Sequence, residues 1–414
     1  MPNEMQIEMR MILIAIRNLV RHYRSVGFDE QGTHDMRHGL WALLGAALLV
    51  FTTGAVHAQS AATIRITDVS NRIVEVAQPI RRMILGEGRQ IYLLAALDRE
   101  EPFGRVVGWR DDFEKADYDG YQAYKEKYPF IADLPKFGGT KEGTFDVEQA
   151  VALRPDVIVM NLEAKAATEE AGLLQKLAKV GIPVVFIDFR ERPFENSEAS
   201  IRVMGQLLDR TDRAEDLIAF RRKHVEVVQQ RLATYAGKRP TVMIERAAGY
   251  SEECCMSFGD ENFGRMVKLA GGDNIAARLI PGTFGTINPE QIVASNPEVV
   301  IVTGSNWKLY VPNGQWVGVG SGADAVTARE RLVGLMQRPP YRNVQAVATG
   351  RVHAIWHQFY DSPYQFVAIQ ALAKWLHPEL FTDLDPDATF QELHDRFLPV
   401  AYKPGYWVSM QPGR

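Results

Sequence analysis

One stretch of this chain occurs twice. Gly143, Thr144, Glu148, Gln149, Val151, Ala152, Pro155 and Val157 recur 142 positions later as Gly285, Thr286, Glu290, Gln291, Val293, Ala294, Pro297 and Val299, so about half of residues 143–157 and 285–299 are identical. Each copy reads as a turn, a short helix, a proline-containing break and a buried strand. Between the copies, Thr211 to Tyr235 contains no proline or glycine. Leu217, Ile218 or Phe220, Val225, Val228 and Leu232 fall there at helical spacing among charged residues. Asp212 is placed to cap this helix, and Gly237 with Pro240 to end it. At about 1.5 Å per residue such a helix exceeds 30 Å, long enough to cross between two lobes. A unit repeated on either side of a long helix constrains the chain to two similar halves.

The rest of the pattern says what each half contains. Met83–Leu85, Arg105–Trp109, Val157–Met160 and Val184–Ile187 are short runs rich in β-branched residues, read as buried parallel strands. Helices fit between them, at Glu148–Leu153 and at Leu173–Val180, the second stopped by Gly181 and Pro183. The alternation resumes at Thr241–Glu245, Val299–Thr303 and Val352–Trp356. Strands alternating with helices imply a mainly parallel sheet covered on both faces in each half, an α/β fold.

Met36, Arg37 and His38 precede an apolar run from Leu40 to Phe51 and then Val56-His57-Ala58. That order is a basic start, a hydrophobic stretch and a small-residue cleavage site, which predicts a secretory signal over residues 1–58 with cleavage after Ala58. The run falls short of the roughly 20 apolar residues that span a bilayer. No cysteine lies beside the site to carry a lipid, so the expected product is secreted and free of an anchor. Signals normally begin at the N-terminus, and Met36 is therefore the expected start of translation. The net charge of −4 over 414 residues gives no reason to expect a nucleic-acid partner.

Cys254 and Cys255 are adjacent and are the only cysteines. They cannot staple distant segments and have no zinc-site spacing. Two readings stand: unpaired small hydrophobes, or an eight-membered vicinal ring.

Ligands of open α/β sheets bind beyond the carboxyl ends of the strands. The residues at those ends are Glu87 to Arg89, Trp109-Arg110, Phe189-Arg190, Glu245-Arg246, Ser305 to Trp307 and Trp356 to Tyr360. Arginine stands at four of the six ends in a slightly acidic chain. Guanidinium is a planar fork of donors suited to oxyanions, and aromatic rings supply apolar walls. The candidate ligand-binding residues are Arg89, Trp109, Arg110, Arg190, Arg246, Trp307, Trp356, His357 and Tyr360. Glu87, Asp111, Glu191 and Glu245 are near enough in sequence to neutralise an arginine instead. Gly138-Gly139-Thr140 reads as a turn that also admits a close backbone approach.

Beyond residue 58 there are five histidines, His224, His353, His357, His377 and His394, and none is in the first half, which disfavours a bare-metal site. His353 is expected to pack within its strand; His357 and Tyr360 could ligate haem iron. No nucleophile elbow, phosphate loop or zinc-helix motif is present. Gly86-Glu87-Gly88 opens like a dinucleotide fingerprint, but Ile91 replaces its third glycine, and no enzymatic activity is expected.

Together with residues 263–274, 350–355 and 368–378, the repeated segments carry a resemblance over Thr63–Tyr402 to the periplasmic binding proteins for ferric siderophores, haem and cobalamin. The resemblance implies two Rossmann-like lobes, each a mainly parallel sheet with flanking helices, joined by one long rigid helix. The lobes then correspond to residues 59–210 and 237–414, with 211–236 as the joining helix. It implies a periplasmic monomer without cofactor that captures an iron complex, here an anionic ferric siderophore, and delivers it to an ABC permease and its ATPase. It further implies one exposed docking carboxylate per lobe, matching Glu148 and Glu290. Haem or cobalamin as ligand, a periplasmic enzyme and a ligand sensor are the alternatives.

Overall fold

The computed structural model describes residues 62–411, which fall within one compact unit. The signal segment and Met36 lie outside the described residues.

The described chain opens with an antiparallel hairpin, β1 (Thr63–Thr67) and β2 (Ile73–Ala77). The first lobe is a parallel sheet of β3 (Met83–Leu85), β4 (Val106–Arg110), β5 (Lys136–Phe137), β6 (Val157–Asn161) and β7 (Val184–Ile187), in the order β5-β4-β3-β6-β7. Successive side chains of a strand point to opposite faces, and both faces of this sheet are covered. Met83, Leu85, Val157 and Val159 enter one apolar cluster, while Ile84, Ile158 and Met160 enter another beneath the helices Val147–Ala152 and Leu173–Lys179. That is why these strands read as unbroken apolar runs rather than alternating ones.

In the second lobe β8 (Thr241–Glu245), β12 (Val299–Gly304) and β13 (Val352–Trp356) pair in parallel as the centre of the sheet. β10 (Asp273–Asn274) also pairs in parallel with β8, whereas β9 (Met256–Phe258), β11 (Phe284–Thr286) and β14 (Trp407–Ser409) add antiparallel edges.

The repeat is a structural repeat. Asp146 accepts the Gln149 amide at the start of Val147–Ala152, and the equivalent Asn288 accepts the Glu290 amide at the start of Pro289–Ser295. These side chains satisfy amides that a helix start leaves unpaired. The following strands, β6 and β12, are equivalent in the two sheets.

The long helix spans Thr211–Ala233, about 35 Å at 1.5 Å per residue. It packs on the helix Pro193–Leu208 of the first lobe and on Gln365–Leu376 of the second. Leu217, Ile218, Phe220 and Val228 are buried, while Val225 and Leu232 are only partly covered. Asp212 is not the cap: it sits within the first turn, where the helix dipole still favours a carboxylate. Among the described residues no helix is long and apolar enough to cross a membrane.

Candidate functional cleft

A cleft of about 420 Å³ opens between the lobes, beyond the carboxyl ends of strands from both sheets. Gly86 lets the chain leave β3 across β6: a Cβ there would stand 2.9 Å from the Val159 carbonyl oxygen. The floor is stitched across the lobes. Asn262 donates to the carbonyls of Arg190 and Tyr360 at 2.7 and 2.8 Å, Gln358 to the Ala116 carbonyl at 2.8 Å, and Tyr364 to the Tyr92 carbonyl at 2.8 Å.

Five cationic side chains and four carboxylates line the cleft. Most are already matched. Arg89 donates to Asp112 at 2.7 Å, Gln358 at 2.9 Å and the Tyr360 hydroxyl at 2.7 Å, and it also bonds Glu87. Arg190 bonds Glu163 and Tyr360 and lies 3.4 Å from Glu87. Arg110 donates to Glu142 at 2.9 Å, and Lys141 to Glu163 at 2.6 Å. Burial alone would raise the Glu87 pKa, but Arg190 and Arg89 outweigh it and hold the carboxyl well below the usual range. Asp361, buried beside Glu87, is pushed the other way, its pKa raised by burial and by the Glu87 charge.

Arg246 differs. No carboxylate among the described residues pairs with it; Glu245, its sequence neighbour, is taken by Arg338 at 2.7 Å. The Arg246 guanidinium stacks on Phe284 at 4.4 Å and its hydrogen-bond partner among the described residues is the Met256 sulfur, at 3.6 Å, while its Nε is buried without a partner. Burial, and secondarily the charges of Arg190 and Arg89, lowers its pKa. A cation withdrawn from water without a counter-ion is costly, and an anion entering the cleft removes that cost.

His357 places Nδ1 2.8 Å from the Thr303 hydroxyl. Burial and the charges of Arg246, Arg89 and Arg190 hold its pKa well below 6.5, so the ring is neutral. Its ring lies 4.4 Å from that of Tyr360 and edge-on to Trp307 at 5.4 Å. A neutral imidazole and a phenol on one wall are groups able to complete the coordination of iron carried in a chelate. Among the described residues no cluster of three or more His, Cys, Asp or Glu side chains could hold a bare metal ion. His353 packs as expected, stacked on Trp375 at 4.5 Å.

Seven predicted residues therefore line the cleft: Arg89, Arg110, Arg190, Arg246, Trp307, His357 and Tyr360. Trp109 and Trp356 do not. Neighbours in a strand face opposite ways, and Arg110 takes the cleft side while Trp109 enters the core against Phe103 and Phe113. Trp356 packs among Tyr92, Phe359 and Tyr406, with its indole N–H 3.3 Å from Asp117. The expected neutralising partners also change: Asp111 pairs with Lys115, and Glu163 rather than Glu191 meets Arg190.

Asn161, Glu163, Tyr250 and Tyr310 line the cleft without having been singled out. Asn161 and Glu163 end and follow β6, so the strand-end rule applied there would have found them. The two tyrosines sit in loops with no sequence signal. Cys254 and Cys255 bring their sulfurs together as a vicinal pair, the arrangement of the ring reading, and Met256 beyond them reaches the cleft.

A two-lobed α/β structure with its cleft at the strand ends is an architecture suited to holding a solute, and comparison with known proteins gives the class. The profile of the periplasmic binding protein family matches residues 113–357, and the chain belongs to that family of ABC-importer binding components. The structure of FepB from Veillonella parvula, a TroA-like periplasmic binding protein, is 28% identical with a TM-score of 0.76, covering 84% of this chain and 100% of that one. The molybdate-binding protein MolA of Haemophilus influenzae is 23% identical over 367 residues, covering 82% of this chain and 92% of its own length. CeuE of Helicobacter pylori, solved in complex with Ni-His, shares the fold at 16% identity and a TM-score of 0.60, covering 82% of this chain and 96% of that one.

Proposed function

We propose that this protein captures an anionic metal chelate, a ferric siderophore, in the cleft and delivers it to an ABC permease. The carrying observation is Arg246, the cleft cation without a carboxylate, which leaves a local positive charge in an otherwise matched set. The volume lies within the roughly 300–1,000 Å³ of sites for ligands of drug size. Trp307, Tyr250, Tyr310 and Tyr360 offer aromatic faces to a chelate's apolar surface. The function is binding without chemistry and requires no resident cofactor. A second reading, a simple oxyanion such as molybdate, is favoured by the same free guanidinium and by the similarity to MolA.

Fluorescence titration tests the ligand, with Trp307 on the cleft wall as reporter. Purified protein is titrated with ferric citrate, ferric catecholate, ferric hydroxamate, molybdate, haem and cobalamin. Saturable quenching by one anionic ferric chelate at micromolar concentration or below is expected. A response to molybdate alone selects the second reading, and a response to haem or cobalamin alone overturns both.

Glu148 and Glu290 support the docking role. Each is exposed in the first turn of its helix, just beyond the capping side chain, on equivalent elements of the two lobes. Replacing both with Ala should abolish uptake in cells while ligand affinity stays within about twofold, as remote exposed sites behave. A parallel loss of affinity would refute docking.

A further inference from the structure

The loop after β5 carries two charges into the cleft, and both meet opposite charges there. It is closed on itself: the Thr144 amide donates to the Gly139 carbonyl at 3.0 Å, and the Gly139 amide to the Thr144 hydroxyl at 3.1 Å. From this loop Glu142 reaches Arg110 at 2.9 Å and Lys141 reaches Glu163 at 2.6 Å. The Glu142 carboxylate lies over Gly139, where a Cβ would also come within 2.8 Å of the Arg110 guanidinium carbon, so a side chain at 139 would expel the pair. The Glu142 side chain is 53% exposed, whereas that of Glu87 is 4% exposed. An exposed ion pair is worth only about 0–1 kcal/mol, far easier to exchange than a buried one.

We infer that Glu142 is an internal counter-ion occupying a second anion seat on Arg110, and that the ligand's anionic donor displaces it. This inference rests on the anionic-ligand reading above. Arg246 is then the seat that is always open, and Arg110 the seat that is open only to an anion able to compete with a carboxylate. Glu142 becomes a specificity-determining residue, selecting chelates that carry several anionic donor groups over compact oxyanions such as sulfate, which can satisfy Arg246 but gain less from displacing Glu142.

The test compares wild type, Glu142→Gln, Arg110→Ala, the Arg110→Ala/Glu142→Gln double variant and Arg246→Ala in titrations with ferric citrate, ferric catecholate, molybdate and sulfate. Glu142→Gln should bind the responding anions about two- to fivefold more tightly, the range expected for releasing an exposed pair. It should also narrow the difference between ferric chelates and sulfate. In the Arg110→Ala background the same change should give no gain, because there is no seat left to free. A gain that persists without Arg110 would reduce Glu142 to a general repulsive charge and overturn the inference. Binding that depends on Arg246 but is unchanged in Glu142→Gln would also overturn it while leaving the anionic reading intact. Silence of wild type and Glu142→Gln toward all four anions would overturn both.

Discussion

The two walls of the cleft use arginine in opposite ways. On the first-lobe wall Arg89 and Arg190 are held by Glu87, Asp112 and Glu163, with Tyr360 reaching across from the second lobe. On the second-lobe wall Arg246 faces the same space with an aromatic ring and a thioether as neighbours. Arg89 and Arg190 make the first wall a scaffold, most of their donors spent in fixing the lobes, while Arg110 beside them is held, among the described residues, only by the exposed Glu142. The second wall is a receptor whose cation lacks a counter-ion. Arginines at strand ends are therefore not equivalent as ligand contacts: the carboxylates the fold brings to each decide its role.

Removing a scaffold charge should have the largest effect. Arg89→Met leaves Glu87 and Asp112 buried beside an uncharged chain, and should cost about 3–5 kcal/mol of stability in denaturant unfolding, as breaking a buried pair does. Stability within about 1 kcal/mol of wild type would show that the walls do not differ.

The receptor side should respond in affinity instead. Arg246→Ala should weaken an anionic chelate by about 1.5–3 kcal/mol in the fluorescence titration, the range of hydrogen bonds to charged groups. Its melting temperature should equal or exceed that of wild type, since an unpaired, largely buried charge is gone. Unchanged affinity would remove Arg246 from the site.

The smallest effect concerns the seam between the walls. Asp117 of the first lobe accepts the Tyr92 hydroxyl at 2.8 Å and lies 3.3 Å from the Trp356 indole nitrogen of the second. Burial raises its pKa to about 7, although those hydrogen bonds favour its charged form. The folded state thus keeps a proton that the unfolded chain releases near pH 4. The associated stability is fully present below that pH and is lost as pH rises through 7. Between pH 6 and 8 this loss should be on the order of 1 kcal/mol. Chemical denaturation across that range should show the slope in wild type and a flatter curve in Asp117→Asn. Equal slopes would mean that the seam does not titrate there.

Much of the fold was legible because its signals are local. β7, β8 and β13 coincide with the largely apolar runs read directly from the chain, since a strand buried on both faces is apolar along most of its length. The long helix was visible from the absence of breakers over Thr211–Ala233. The site was legible only in outline. The strand-end rule led to Arg246 and His357, but at Trp109 and Trp356 it could not tell which side of the last strand residue faces the cleft.

By itself the sequence determined a duplicated α/β architecture, a connecting helix and the supply of arginine and aromatic residues at the strand ends. Periodicity, caps and breakers act over a few residues and need no tertiary context. Only the tertiary structure decided which of those arginines is free. Arg110 meets a carboxylate 32 residues away, and Glu245 takes Arg338 from 93 residues away, leaving the adjacent Arg246 unpaired. Charge pairing depends on distance in space, and the fold sets that distance by bringing together segments that the chain keeps far apart.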